Sequence, residues 1–370
     1  MQLIATCAFG LEKIVFKELK ALGLWIDQTE DGRVTFQGEF SDLVKANLWL
    51  RTADRIQIKL AEFPATTFDQ LFDATTALDW DNIIPKDATF PVLCSTSKST
   101  LHNEPSIQSI VKKAIVKKLL PRHSTPQIPE TGPTYSILAR FNKDICTLSL
   151  DTTGDSLHKR GYRTEANLAP LKETLAAALI LLSDWKADRP LIDPFCGSGT
   201  ILIEAAMIGL NIAPGLNRNF TFESWPDSDK ALIKKLRYEA AEALQPTPLN
   251  LQGSDFNPRT IDTAHQNIER AGLTDQIKLK QLDVHDLDFA EIKNSTIITN
   301  PPYGERLSEI SAVEKLYAEL GKLYAKTQHT SLYILASHPE FQKVFGQQAD
   351  KNRKLFNGKI KCWYYQYLAK

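Results

Sequence analysis

Residues 1–65 switch repeatedly between two hydrophobic periods. Leu3–Phe9 reads as a strand, and Gly10–Leu22 places apolar residues at 11, 14, 15, 19 and 22, the spacing of one helix face. Two strand-like pieces follow, at Trp25–Gln28 and Arg33–Phe36, with Asp31-Gly32 as a hairpin turn. Ser41 is read as the cap of a helix over Asp42–Ala53. Arg55–Phe63 then alternates as a strand, with Ile56, Ile58 and Leu60 on one face. The order β-α-β-β-α-β predicts a small ferredoxin-like unit over 1–65.

A second unit is expected over 66–163. It holds a helix at Phe68–Leu78, a strand at Phe90–Ser95 and an amphipathic helix at Ile107–Leu120, ended by Pro121. Pro121–Pro133 carries four prolines and reads as a loop. Tyr135–Phe141 and Asp144–Asp151 form a hairpin around Asn142-Lys143. From 164 onward helix and strand signals alternate to the C-terminus. The helices fall at 170–182, 201–208, 260–271 and 312–324, and the strands at 190–192, 249–253, 277–282, 296–299 and 331–336. That alternation predicts an α/β domain over 164–370 with a mostly parallel doubly wound sheet. Asn357-Gly358 reads as the turn of a closing hairpin, which makes the last strand antiparallel.

The balance of 44 Lys+Arg, 44 Asp+Glu and 43% hydrophobic residues excludes a wholly disordered chain. No run reaches the length of a membrane span, and the first residues lack a basic region followed by an apolar core. The five scattered cysteines form no C-x-x-C pair, which fits reduced thiols and a cytoplasmic protein. Histidine and cysteine spacing suggests no metal site. Net charge is zero but uneven. Residues 86–163 carry twelve Lys/Arg against six Asp/Glu, whereas 1–65 carry eight against nine. Lys112, Lys113, Lys117 and Lys118 on the second unit's helix, with His158, Lys159, Arg160 and Arg163, form a candidate nucleic-acid surface. Such a surplus is equally what a solvated face carries.

Asp193-Pro194-Phe195-Cys196-Gly197-Ser198-Gly199-Thr200 lies where a strand meets a helix. Ligands bind there in doubly wound sheets. Leu202 replaces the third glycine of the dinucleotide fingerprint, and the Gly-Lys-Ser/Thr ending of a nucleoside-triphosphate loop is missing. A nucleoside ligand with little phosphate fits better, and S-adenosyl-L-methionine is one. Asp255 ends the next strand as a candidate ribose acceptor, 56 residues after Gly199, so much of 209–248 reads as an insertion. Asp283, followed by Val284, ends the strand after that and is placed to take an adenine amine.

Asn300-Pro301-Pro302-Tyr303 follows the β-branched strand Thr296–Thr299. Two prolines fix the backbone, and their carbonyls with the Asn300 side-chain oxygen offer acceptors to an exocyclic amine. Holding both amine protons would localise the nitrogen lone pair for attack on a sulfonium methyl, with Tyr303 stacked on the attached ring. Cys196 reads as a small filler rather than the nucleophile of pyrimidine-carbon chemistry.

Asp193–Thr200 followed by Asn300–Tyr303 resembles the class I S-adenosylmethionine-dependent amino-methyltransferases. Further segments narrow the likeness: 158–163, 169–173, 213–218, 300–307 and 354–358. Together they are similar to bacterial RNA guanine-N2 methyltransferases with a THUMP domain, in their stand-alone form. The resemblance implies a ferredoxin-like unit, a THUMP RNA-binding domain over 66–163 and a Rossmann-like methyltransferase domain. It implies that Asp193, Phe195, Gly197, Gly199 and Thr200 form the cofactor loop and that Pro170, Leu171 and Lys172 line its methionine end. Asp255 would hold the ribose, Phe256 would pack beside the adenine, and Asp283 would hold its amine. Asn300, Pro301, Pro302 and Tyr303 would hold the target amine and base. The implied substrate is ribosomal RNA, with transfer RNA, an adenine-N6 amine of DNA or RNA, and a non-catalytic assembly role as alternatives. Oligomeric state has no signature in the sequence.

Overall fold

A computed structural model of the chain describes residues 1–123, 128–163, 171–304 and 307–369. In the first unit β1 (Gln2–Cys7), α1 (Glu12–Ala21), β2 (Trp25–Glu30), β3 (Arg33–Gln37), α2 (Phe40–Trp49) and β4 (Ala53–Pro64) follow in the expected order. α2 starts before Ser41, because Asp42 reaches back to the Glu39 N–H at 3.0 Å and fixes the first turn there. The second unit adds α3 (Phe68–Thr76), α4 (Trp80–Ile83), β5 (Val92–Ser97), α5 (Glu104–Leu119), β6 (Ile137–Asn142) and β7 (Ile145–Asp151). α5 opens earlier than its apolar pattern because Asn103 caps it, accepting from the Ser106 N–H at 2.9 Å. The β6–β7 turn is Lys143-Asp144, both at positive φ, rather than Asn142-Lys143.

The two units share one seven-stranded sheet, ordered β2-β3-β1-β4-β7-β6-β5. β4 joins them. It pairs antiparallel with β1, Leu3 against Ile58, and with β7 from Gln57 against Asp151 to Pro64 against Ile145. The boundary expected at 65/66 thus falls at the end of a strand that belongs to both units.

The third unit contains α6 (Glu173–Leu182), β8 (Leu191–Asp193), α7 (Thr200–Gly209), α8 (Lys230–Glu242), β9 (Leu251–Asp255), α9 (Pro258–Arg270) and β10 (Ile277–Gln281). It continues with β11 (Thr296–Thr299), α10 (Leu307–Tyr324), β12 (Ser331–Ala336), α11 (Phe341–Phe345), β13 (Lys351–Asn357) and β14 (Ile360–Tyr367). The sheet order is β10-β9-β8-β11-β12-β14-β13. Its first five strands are parallel, and β14 is antiparallel to both neighbours, as a Rossmann-like methyltransferase domain requires. The order turns back between β8 and β11, and this reversal opens the crevice for a ligand. The insertion between α7 and β9 holds α8, which packs on α2 of the first unit.

One apolar core runs from Leu3 of the first sheet to Leu335 and Tyr364 of the second. At this joint Gly215 brings backbone to backbone. A Cβ there would stand 2.7 Å from the Asn47 carbonyl oxygen, and the Gly215 N–H donates to Leu48 O at 2.9 Å. Among the described residues no helix is long and apolar enough to cross a membrane.

Candidate active site

Loops leave the carboxyl ends of β8, β9, β10 and β11 on one edge of the second sheet. Asp193 ends β8 and is 1% exposed. Its Oδ1 accepts from the Phe195 N–H at 3.2 Å and from Thr299 Oγ1 at 2.6 Å, which ties β8 to β11 at the reversal. Burial pushes its pKa up to about 7 in spite of both bonds. Gly197 and Gly199 take φ of +51° and +81°. A Cβ on Gly197 would meet nothing within 4 Å, so its backbone stands open to the crevice. Gly199 caps α7, which leaves the Thr200 end of the helix facing the same space.

Asp255 draws the next loop in. Its Oδ2 accepts from the Gly197 N–H at 3.2 Å and its Oδ1 from the Asn257 N–H at 2.9 Å. A cleft of about 710 Å³ results, walled by Leu171, the 193–201 loop, Asn257, Arg259 and Asn300. Its size, the bare Gly197 backbone and the adjoining carboxylate suit a nucleoside carrying an amino-acid tail. Lys172 lines a second cleft, and Pro170 lies outside the described residues.

Asp283 and Val284 line neither cleft. Asp283 Oδ1 accepts from the His285 N–H at 3.0 Å and also contacts the His285 ring, whose Nε2 is 2.5 Å from Glu319 Oε2. Hydrogen bonds to Glu319 and Asp283 raise the His285 pKa, and the bonds from His285 lower that of Asp283. Val284 is buried in the core.

The acceptor loop follows β11. Pro301 and Pro302, with Asn300, Tyr303 and exposed Phe256, wall the second cleft, of about 520 Å³. Phe195, Gly197 and Asn300 belong to both clefts, so one wall separates them. The Pro302 carbonyl already accepts from the Tyr317 hydroxyl at 2.6 Å. One of that oxygen's two lone pairs is thus engaged before any substrate arrives. Asn300 Oδ1 accepts from the Tyr303 hydroxyl at 2.5 Å, and burial raises the pKa of that hydroxyl. Asn357 Nδ2 donates to the same hydroxyl at 3.5 Å. The β13–β14 tip, Asn357–Ile360, therefore completes the second cleft. Nothing in the sequence placed it there beyond its share in the motif at 354–358.

The two basic segments differ. Lys113, Lys117 and Lys118 are exposed on α5, while Lys112 is held by Glu130 at 2.7 Å and the Phe90 carbonyl at 2.9 Å. Arg160 is 3% exposed and donates to Glu204 Oε1 and Oε2 (3.4 Å each) and to the Leu157 and Arg51 carbonyls. Arg163 pairs with Glu173 at 3.4 Å and donates to the Leu171 carbonyl and to Thr200 Oγ1. Burial, with Lys172 and Arg160 nearby, lowers the His158 pKa to about 4, so its ring is neutral at pH 7. Of this cluster Lys159 alone is exposed, and it pairs with Asp155 at 2.8 Å. The segment expected to face a nucleic acid is instead a joint between the N-terminal sheet and the cofactor loop.

Residues 160–366 match the RMKL-like methyltransferase domain. The chain belongs to the RMKL-like methyltransferase family. Upstream, residues 2–57 match the RlmL ferredoxin-like domain and 65–151 the THUMP domain. This RMKL-like chain is 47% identical over its whole length to the "Putative RNA methyltransferase YpsC" of Bacillus subtilis, covering 96% of that protein. It is 32% identical to a "Ribosomal RNA large subunit methyltransferase K/L" of Marinomonas, with 98% of this chain and 52% of that one aligned. It therefore spans about half the length of that relative. Two solved structures resemble it over 100% of its length. One is a putative methyltransferase complexed with SAH (TM-score 0.93, 49% identity, 98% of that chain). The other is a "predicted N6-adenine-specific DNA methylase" from Listeria monocytogenes (TM-score 0.93, 46% identity, 96% of that chain).

S-adenosyl-L-methionine is the cofactor of this methyltransferase, and the larger cleft fits it. Burial, with Asp193 and Asp255 nearby, raises the Cys196 thiol pKa far above neutrality, so that sulfur offers no thiolate.

Proposed function

We propose that this chain transfers a methyl group to the exocyclic N2 amine of a guanine in RNA, most specifically in 23S ribosomal RNA. The observation that carries the amine chemistry is the shared wall. Asn300 borders both the cofactor cleft and the neighbouring cleft, so an amine held on its far side faces the cofactor. The THUMP match, the exposed lysines of α5 and the printed names of the relatives support RNA. The Marinomonas relative's name supports ribosomal rather than transfer RNA. The five unpaired cysteines suit a reducing compartment, and we assign the protein to the cytoplasm.

The bound cofactor supplies an already activated methyl group. The proton that the amine sheds on methylation passes to solvent; before that, Asn300 Oδ1 accepts a hydrogen bond from one amine N–H once the base displaces the Tyr303 hydroxyl. Pro301, next to it, presents its carbonyl for the other. The Tyr317 bond to the Pro302 carbonyl holds the loop still while this happens. Asp193 and Asp255 act on geometry: their bonds set the glycine loop before the substrate arrives. Leu171 and Thr200, in the wall of the larger cleft, complete the cofactor's surroundings, and Lys172 lines the neighbouring cleft.

The Listeria structure's title favours a second reading, adenine-N6 methylation of DNA. The same two acceptors would hold that amine. Purified protein, labelled S-adenosyl-L-methionine and RNA from a strain lacking the gene decide between them. N2-methylguanosine in large-subunit RNA is the expected product. The same nucleoside in transfer RNA would move the substrate, and N6-methyladenine, in RNA or in added DNA, would replace the base. Asn300→Ala should lower kcat about 100-fold or more with cofactor Kd nearly unchanged. Equal losses in both would make Asn300 a cofactor residue instead.

A further inference from the structure

A third hollow, of about 460 Å³, lies between the N-terminal unit and the methyltransferase domain. Lys172 and Gly358 line it and also line the acceptor cleft, so the two are neighbours. Phe9, just after β1, supplies one wall and is 47% exposed. Its ring and that of Phe356 on β13 pack nearly perpendicular, 78° apart with centroids at 6.0 Å. Lys354 Nζ lies 5.9 Å from the Phe9 centroid and 5.2 Å from that of Phe356. It makes no ion pair among the described residues.

The hollow is built in advance. The Glu12 carboxylate accepts from the Gly10 N–H at 3.0 Å and from the Gly32 N–H at 2.9 Å, which pins the loop that carries Phe9. Gly10 has φ +93°, and a Cβ on it would stand 3.0 Å from the Lys354 carbonyl oxygen. This close approach presses Phe9 toward β13. Asp54 lines the inner side and accepts from Thr174 Oγ1 at 3.4 Å.

We propose that this hollow seats the nucleotide adjoining the methylated base in the same RNA strand. The inference rests on the RNA reading above. A base drawn out of its stack needs its neighbour held, and an aromatic face with a cation beside it does this for any base. Phe9 offers that face. Lys354 at the rim takes the phosphate, and the Asp54 carboxylate keeps phosphate away from the inner end, where a ribose hydroxyl can donate to it. The N-terminal unit thereby contributes directly to substrate binding beside the reaction centre.

The test is fluorescence anisotropy with a labelled, mixed-sequence single-stranded RNA of about 12 nucleotides. Phe9→Ala should weaken binding about 5- to 50-fold, and Phe9→Tyr should stay within about twofold of wild type. Lys354→Ala should weaken binding by a smaller factor and flatten its salt dependence. Cofactor Kd and Tm should hold in all three. If Phe9→Ala does not fold, Lys354→Ala and Phe9→Tyr carry the same comparison. Wild-type affinity in both Phe9→Ala and Lys354→Ala overturns the proposal, as does failure of the wild type to bind the probe. A product other than N2-methylguanosine, with the binding losses as expected, sinks the guanine assignment and leaves this site standing.

Discussion

Two lysine- and arginine-rich segments look alike in the sequence and have opposite fates in the fold. On α5, Lys113 and Lys117 project from the face away from the buried Ile107, Val111 and Ile115, and Lys118 is exposed in the helix's last turn. In 158–163, Arg160 and Arg163 turn inward to Glu204 and Glu173. Charge counting treats the two equally, since it sees cations and not their partners. What separates them is the carboxylate each cation meets, and Glu204 lies 44 residues beyond Arg160 on a helix buried all round. A cation beside aromatics at a domain boundary is as apt to join domains as to grip a phosphate.

Substitutions should widen that contrast. Arg160→Met leaves Glu204 enclosed without its partner and should cost about 3–5 kcal/mol of stability, read from urea unfolding. A loss under about 1 kcal/mol would mean that the pair is not enclosed in solution. The triple change Lys113→Ala, Lys117→Ala, Lys118→Ala should leave unfolding unaltered. It should weaken RNA binding at low salt and reduce the slope of log affinity against log salt by about 2. An unchanged slope would remove α5 from the RNA surface. The smallest effect concerns His158. Its folded-state pKa of about 4 lies below the ordinary histidine value of 6.5, so the unfolded chain binds the proton more readily between them. Stability should therefore fall by on the order of 1 kcal/mol as pH drops from 6.5 through 4, after allowance for solvent at this half-buried ring. His158→Gln should flatten that part of the curve, and an unaltered curve would show that the ring is solvated.

Local patterns made most of the architecture legible. They find every strand of the doubly wound sheet up to β12: β8, β11 and β12 are short buried runs, whereas the edge strand β10 alternates apolar residues with lysines. α8 was absorbed into the insertion, since its apolar stripe of Ile233, Leu236 and Ala240 sits among lysines and glutamates with no strand nearby. The glycine loop and the acceptor loop were legible because their chemistry is contiguous in the chain. The Thr299–Asp193 bond, the Tyr317 bond to Pro302 and the Asn357 tip were not, as each joins residues brought together only by the sheet order. Asp283 is a strand-end carboxylate whose local partner, His285, cannot be read from the strand pattern.

The strand shared by the first two units also sets a timetable. β4 must wait for β7, its partner about 80–95 residues later in the chain. At ribosomal elongation rates that delay is on the order of 4–20 seconds. Throughout it the nascent ferredoxin-like unit presents an unpaired edge, the kind that recruits strands from other chains. Arg55, Lys59 and Glu62 lie along that edge and Pro64 ends it. In the finished protein two of these charges are stitched to each other, Lys59 to Glu62 at 3.2 Å, and Arg55 is bound to Asp151 of the late-arriving strand. The same side chains thus guard the edge during synthesis and seal it afterward.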